Sequence, residues 1–164
     1  MTLTDTDLTH LRRCVELARE ALEQGHMPFG SLLVGADGTV LLEERNEEGG
    51  GDHTRHPELA LSVWASTHLT PQERAGATAY TTGEHCPMCS AAHGWVGLGR
   101  FVVAVRSDQL IGWLEEWGEG AWPVAPLPIE QVVPGAVVDG PAPQLEDEMR
   151  ALHRARIERD RAQG

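Results

Sequence analysis

His56-Pro57-Glu58 and Cys86-Pro87-Met88-Cys89 are the two pieces of sequence that decide the fold and the chemistry of this chain. A His, two Cys three residues apart and a Glu two residues after the His are typical of a zinc site that carries out hydrolysis. Three protein ligands leave the fourth zinc position open to water, as in catalytic zinc sites. The motif therefore predicts His56, Cys86 and Cys89 as ligands of one Zn²⁺ ion.

The positions of these residues on the chain explain their chemistry. Two cysteines three apart at a helix amino terminus point the same way, so both sulfurs can reach one metal ion. The helix dipole stabilises them as thiolates, the form that binds zinc. Glu58 is then close enough to take a proton from water and pass it to a ring nitrogen and a leaving amine. This is the chemistry of hydrolytic deamination, with Glu58 as the catalytic residue.

Two other interpretations of the motif remain open. A C-x-x-C pair in a reducing compartment also occurs in redox proteins, but redox chemistry would leave His56 and Glu58 without a role. A structural zinc module needs a fourth ligand, which His53, His85 or Cys14 would have to supply. The placement of Glu58 favours the catalytic interpretation over both.

Composition limits the class of protein. The 164 residues fit one compact domain, with 41% hydrophobic and 23% charged residues. The net charge of -12 disfavours nucleic acid as a partner, because nucleic-acid binders usually present a basic face. We find no apolar run of about 18 residues that predicts a membrane span, and no signal segment. The three cysteines are too few for a disulfide framework, and we expect a cytoplasmic protein.

Helices alternate with short apolar strands along the chain, which predicts an α/β fold. An apolar stripe from Leu8 to Leu22 indicates a helix that ends at Gly25. Further helices are expected from His56 to about Leu69 and from Cys86 to Val96. The predicted strands are 31–34 and 39–42, joined by the Asp37-Gly38 turn, then 78–82 and 101–105. Together these elements predict a three-layer α/β/α domain with a mixed sheet.

The chain changes character after Gln109. A short helix to Trp117 is followed by a proline-rich segment, in which residues 132–133 or 136–138 are alternative edge strands. A final helix is expected over 144–161. We interpret residues 1–164 as a single zinc-dependent deaminase domain, with 109–164 as a divergent segment that shapes the pocket or the dimer. Trp113, Trp117 and Trp122 either form a lid or pack beneath this segment.

The motifs resemble those of the cytidine deaminase-like superfamily, in the branch of guanine deaminases, cytosine deaminases and tRNA adenosine deaminases. The resemblance covers about Leu8 to Val105. It rests on Pro28-Phe29-Gly30, Asp37-Gly38, Asn46, the run from Asp52 to Glu58, and the run from Cys86 to Ala92. It implies a five-stranded mixed sheet flanked by helices, one zinc ion per chain, and a homodimer whose subunits complete each other's sites.

The resemblance also implies substrate contacts. Asn46 would hydrogen-bond the base, and Arg55 and Phe29 would line the pocket. Trp95 is either a residue that stacks on the base in a neighbouring subunit or one that packs the inner face of its helix. Two positions depart from the family pattern. Pro57 replaces a small residue, and His85 replaces a proline and would put an imidazole near the zinc or the pocket mouth.

These features predict a zinc-dependent aminohydrolase of a free nucleobase or related aminated heterocycle. Guanine or a guanine-like triazine is the first choice, cytosine-type bases and nucleosides come next, and tRNA adenosine is third. A zinc-stabilised domain without catalytic activity is the alternative from a different class.

Overall fold

The computed structural model describes residues 3–120 and 122–163, which form one mixed sheet covered by helices on both faces. The five strands found there lie in the order β2-β1-β3-β4-β5. β1 pairs antiparallel with β2 and β3, whereas β3, β4 and β5 are parallel. Their bounds are Gly30–Val34 (β1), Val40–Arg45 (β2), Thr78–Gly83 (β3), Arg100–Val105 (β4) and Val138–Asp139 (β5).

Helices cover the two faces of the sheet separately. The first and last helices and the helix after β4 pack on one face, and the two helices that begin at the zinc motif pack on the other. This confirms the predicted three-layer α/β/α fold. No helix in the described ranges is long and apolar enough to cross a membrane. The helices are Asp5–Glu23 (α1), Pro57–His68 (α2), Pro71–Gly76 (α3), Pro87–Val96 (α4), Ser107–Glu116 (α5), Ile129–Val132 (α6) and Glu146–Gln163 (α7).

Successive side chains of a strand point to opposite faces of the sheet, and this divides the core into two parts. On β3, Tyr80 faces the α1 side and Ala79 faces the α2 side. On β4, Val102 joins the α1 side, whereas Phe101 packs with Ile129 of α6 on the opposite face. Strands buried on both faces read as continuous apolar runs, which is why β4 was recognisable from its sequence.

Three local features of the helices and of the edge strand come from the structure. Thr4 caps α1, and its hydroxyl accepts the Asp7 backbone N–H in a capping box. Val63 of α2 is 59% exposed, because it lies on the side of the helix away from the sheet. The edge strand is β5, close to the second alternative, while the first alternative overlaps α6, a single helical turn after Pro128.

A buried ionic network ties the first helix to the parallel half of the sheet. Arg100 at the start of β4 donates to Asp139 of β5 at 2.6 Å and to Asp7 of α1 at 2.7 Å. The Tyr80 hydroxyl also donates to Asp7 at 2.9 Å. Burial alone would raise the pKa of Asp7, but the hydrogen bonds from Arg100, Thr4 and Tyr80 outweigh it and hold the pKa below its usual range.

Removal of the central guanidinium tests this network. We expect Arg100→Met to lower the free energy of unfolding by about 3 kcal/mol, because two buried carboxylates lose their cation. Urea unfolding measures the change. Arg13→Met is the matched control, since Arg13 bridges the exposed Glu16, Glu20 and Glu43 and should cost less than about 1 kcal/mol. Equal losses in the two variants would contradict the proposed importance of the buried network.

Candidate active site

Two helix amino termini bring the three predicted zinc ligands together. His56 is the N-cap of α2, and Cys86 is the N-cap of α4, with Cys89 in the first turn. Pro57 and Pro87 each follow an N-cap, where the missing N–H of proline has no intrahelical partner to lose. The Nδ1 atom of His56 lies 3.6 Å from each sulfur, and the two sulfurs lie 3.6 Å apart. Within the described residues, this trio is the cluster of His, Cys and acidic groups that could hold a metal ion.

The spacing of the three donor atoms fits zinc. Tetrahedral coordination with ordinary Zn–S and Zn–N bonds places neighbouring ligand atoms about 3.6 to 3.8 Å apart. The three measured separations of 3.6 Å match this value. Two thiolates and an imidazole are also the donor types that zinc prefers. The donor set therefore fits a zinc ion with three protein ligands.

None of the residues considered as a fourth ligand joins the trio. Cys14 is fully buried among apolar side chains on the α1 face of the sheet. The ring of His85 packs edge-on against His93 and Phe101, with centroids 5.4 and 4.9 Å away. The expected position of His85 at the pocket mouth is wrong, because its ring does not line the cavity described below. Its side chain enters the core instead.

Hydrogen bonds among the three side chains favour the metal-binding thiolate at Cys86 but the protonated imidazole at His56, whose proton a zinc ion would displace. A hydrogen bond from the Cys89 thiol, with a further contribution from His56, lowers the pKa of the Cys86 thiol to about 4. The interactions of His56 with Cys86 and then with the Glu48 carboxylate raise the pKa of its imidazole to about 10. Among the protein groups themselves, His56 and Cys86 thus form an imidazolium–thiolate pair.

Glu58 lies beside the trio. Its side chain is 5% exposed, and its Oε2 atom lies 3.8 Å from the Cys89 sulfur. The hydroxyl of Thr81 on β3 donates to Oε1 at 2.9 Å, and Ser31 of β1 donates to Thr81 at 3.0 Å. Burial raises the pKa of Glu58. A carboxyl with a raised pKa next to a hydrolytic metal site is suited to accept and return a proton.

A cavity with mainly apolar walls opens above this group. Phe29 reaches it because residue 83 is glycine, whose hypothetical Cβ would lie 2.8 Å from the Phe29 ring. Residues of α5 and of the proline-rich segment form the outer wall. The lining residues are Phe29, His56, Glu58, Glu84, Cys86, Pro87, Ser107, Leu110, Ile111, Trp122, Val124, Ala125 and Pro126. Of the three tryptophans considered as a lid, Trp122 lines the cavity, whereas Trp113 is buried in the core and Trp117 packs against it.

Asn46 is fully buried in the loop after β2. Its Oδ1 atom accepts the backbone N–H groups of Met27 at 3.3 Å and Glu48 at 3.0 Å. The Nδ2 group has no hydrogen-bond partner in the part of the chain that the structure describes. Such an orphaned donor is costly in a protein interior, so its presence favours a ligand that accepts from it. Asn46 is not one of the residues that line the cavity.

Arg55 and Trp95 lie away from the cavity. Arg55 is exposed and pairs with Glu47. Trp95 is 90% exposed, so it does not pack the inner face of α4. Trp95 lies six positions after Cys89. On an α-helix this step turns the side-chain direction by about 240°, so the indole points away from the Cys89 sulfur. Any contact of Trp95 with a substrate would therefore involve another subunit.

Two acidic residues near the site escaped the sequence analysis. The Oε2 atom of Glu48 lies 3.6 Å from Nε2 of His56. Glu84 lines the cavity with a side chain that is 2% exposed. The sequence offered one signal for Glu84, a charged residue between an apolar strand and Cys86. The sequence offered no such signal for Glu48, because Glu48 lies among other acidic residues in a glycine-rich loop.

Comparisons with known proteins agree with this geometry. Residues 4–105 match the family model described as the cytidine and deoxycytidylate deaminase zinc-binding region. A probable cytosine deaminase of Schizosaccharomyces pombe is 30% identical over 118 residues, which cover 71% of each chain. A guanine deaminase of Bacillus subtilis is 35% identical over 89 residues, 53% of this chain and 56% of the relative.

The fold also has a counterpart among solved structures. The guanine deaminase of Nitrosomonas europaea superposes with a TM-score of 0.68 at 20% identity, covering 95% of this chain and 86% of that one. Like the present chain, it therefore has the cytidine deaminase-like fold with a mixed sheet between helices. With the family model matched across both halves of the His-Cys-Cys motif, the chain belongs to the zinc-binding cytidine and deoxycytidylate deaminase family.

Proposed function

We propose that the protein deaminates a free nucleobase or a related aminated heterocycle, with guanine or a guanine-like triazine first. The observation that carries the proposal is the buried carboxyl of Glu58 beside the His56, Cys86 and Cys89 trio, at the base of a mainly apolar cavity. We also propose one zinc ion per chain, held by that trio. Its role when bound is that of a Lewis acid that makes hydroxide available near neutral pH.

The protein residues then have separate tasks in the reaction. Thr81 holds Oε1 of Glu58 by a hydrogen bond, so that Oε2 faces the metal ligands. Glu58 takes one proton from the attacking water and passes it to a ring nitrogen as the new C–O bond forms. It then carries the remaining proton of that oxygen to the amine, which leaves as ammonia as the C–N bond breaks and the carbonyl forms. The apolar wall around Trp122 excludes bulk water, which strengthens the electrostatic interactions of the carboxyl.

The lining of the cavity supports a neutral, planar substrate. No Arg or Lys is among the described lining residues, so the cavity offers a phosphate group no guanidinium or ammonium partner. Phe29 and Trp122 offer aromatic surfaces for a flat ring. The orphaned Nδ2 donor of Asn46 is a candidate contact for a base carbonyl or ring nitrogen. Arg55 remains a prediction without structural support as a substrate contact.

Guanine precedes cytosine for two reasons. A guanine deaminase is among the relatives in sequence and another among the structural neighbours, and the exposed Trp95 suits the cross-subunit stacking that the resemblance implies. Cytosine is the second candidate, because a probable cytosine deaminase matches 71% of the chain. The net charge of -12 places tRNA adenosine third.

We further propose a homodimer and a cytoplasmic location. Trp95 of α4 and Val63 of α2 are large exposed apolar side chains on two helices that pack together, which is typical of a surface covered by a second subunit. All three cysteines are unpaired, which suits a reducing compartment. Residues 109–164 would complete the same domain by forming the outer wall of its pocket.

A panel of bases tests the activity. We expect the zinc-loaded protein to release ammonia from guanine or aminotriazines faster than from cytosine, adenine or their nucleosides. Glu58→Gln is the control, because it keeps the shape of the side chain but removes its acid–base function. It should bind zinc normally and lose about 10² to 10⁴ in kcat. Ammonia release from none of these compounds, with zinc bound, would overturn the proposal, and full activity of the Glu58 variant would favour a different mechanism.

Replacement of Glu48 tests the metal site without measuring activity. Ligating histidines are usually oriented by a carboxylate at their second nitrogen, and loss of that partner weakens metal binding. We therefore expect Glu48→Gln to reduce zinc affinity by about tenfold in competition with a chromogenic chelator. Glu47→Gln is the control, since Glu47 lies in the same loop but pairs with arginines. Equal affinities of the two variants would contradict this role of Glu48.

Trp95 tests the dimer. Sedimentation velocity should show a dimer for the unmodified protein and a shift towards monomer for Trp95→Ala, because the largest apolar side chain of the exposed α2–α4 surface is lost. Val40→Ala, on the edge strand β2, should leave the dimer intact. A monomeric unmodified protein would exclude the homodimer, and a dimer unaffected by Trp95→Ala would place the interface elsewhere.

A further inference from the structure

One buried carboxylate contacts both ends of the stretch that forms the outer wall of the cavity. Oε2 of Glu84 accepts the backbone N–H of Ser107 at 2.8 Å. Oε1 of the same residue accepts the backbone N–H of Ile129 at 2.9 Å. Ser107 is the first residue of α5, and Ile129 is the first residue of α6. We call residues 107–120 and 122–129 the wall segment.

The apolar part of the cavity wall that follows β4 in sequence lies between these two contacts. Leu110 and Ile111 come from α5, and Trp122, Val124, Ala125 and Pro126 come from the proline-rich stretch. The wall segment therefore consists of α5 and the proline-rich stretch after it, and both of its ends donate to a single side chain. Helix α5 is also held by its packing in the core, so the proline-rich stretch is the part whose position depends most on the contact at Ile129.

Glu84 is itself firmly placed. Its backbone N–H donates to the carbonyl of Val105 at 2.9 Å, which fixes it between the ends of β3 and β4. Its side chain is 2% exposed, and Nε of Arg106 lies 3.3 Å from Oε2. Arg106 extends the network to Glu130 at 2.9 Å, on the surface of α6. Charge-assisted hydrogen bonds to a buried carboxylate are stronger than neutral ones, so these contacts hold the segment in one place.

We propose that Glu84 is a positioning residue that fastens the wall segment over the reaction centre and thereby limits the size of the substrate. Glu84 lies two positions before Cys86, so the same turn that supplies a metal ligand also sets the outer wall. The part of this inference that concerns substrate selection rests on the proposed deaminase function. The fastening of the wall segment does not depend on it.

Hydrogen exchange tests the fastening directly. Glu84→Gln keeps one acceptor oxygen but replaces the other with an NH₂ group that faces a backbone N–H. In the zinc-loaded protein, we expect the hydrogen-bonded amides of Leu127, Ile129 and Gln131 to exchange about tenfold faster, as for a local opening made easier by one lost hydrogen bond. Peptides from α2 and α4 should exchange at the unmodified rate, and the zinc content should stay unchanged. Glu130→Gln is the control, since it breaks only the exposed pair with Arg106.

A second variant removes a donor instead of the acceptor. Ser107→Pro deletes the N–H that reaches Oε2 and leaves Glu84 intact. Proline is tolerated at the first position of a helix, and Arg106 before it already has the extended conformation that proline requires. We expect the same local acceleration at Leu127, Ile129 and Gln131. Unchanged exchange in both variants would overturn the proposal, as would zinc loss or equal acceleration in α2 and α4, which would make Glu84 a support of the metal site.

Kinetics test the effect on substrate selection. In Glu84→Gln, KM for the preferred base should rise about tenfold with kcat nearly unchanged. The reason is that a loosened wall removes interactions that stabilise the bound substrate and the transition state equally. Nucleosides should gain relative to free bases as the wall opens. A fall in kcat without a change in KM would overturn the role in selection. If no compound is deaminated and the exchange result still holds, the proposed function fails and the fastening stands.

Discussion

The convergence of two helix amino termini at the end of β3 is the constraint on which the site depends. His56 and Cys86 are the N-caps of α2 and α4, and together with Cys89 in the first turn of α4 they place three donor atoms at the separations expected for the ligands of a tetrahedral zinc ion. A helix start is a defined point of the backbone, so two of them brought together by packing give a more precise site than flexible loops would. The contacts between α2 and α4 therefore serve the chemistry as well as the core.

Polar residues within apolar strands connect the sheet to the reaction. Thr81 of β3 and Ser31 of β1 are fully buried on the face that carries α2, and their hydroxyls form a chain that ends at Glu58. Burial raises the pKa of Glu58, while the hydrogen bond from Thr81 opposes that shift in part. The sheet thus holds one carboxyl oxygen in place and leaves the other beside the metal ligands.

Buried charge has two separate uses in this molecule. Arg100 joins Asp7 and Asp139 and so connects α1 to the edge of the sheet. This network takes no part in the proposed reaction. Glu84 instead satisfies the backbone N–H groups at the starts of α5 and α6. The first network stabilises the layers of the fold. The second gives the proline-rich segment, which has little regular structure of its own, a defined position above the site.

The sequence by itself determined the reaction type, the zinc ligands as a hypothesis, and the order of the strands and helices through β4, because motif spacing and apolar periodicity are local properties of a chain. It misplaced His85 with respect to the pocket, did not single out Glu48 and left Trp95 undecided, since a side chain's surroundings depend on distant elements. Only the tertiary structure decided which wall covers the site. Glu84 contacts residues 23 and 45 positions along the chain, and no local pattern encodes such contacts.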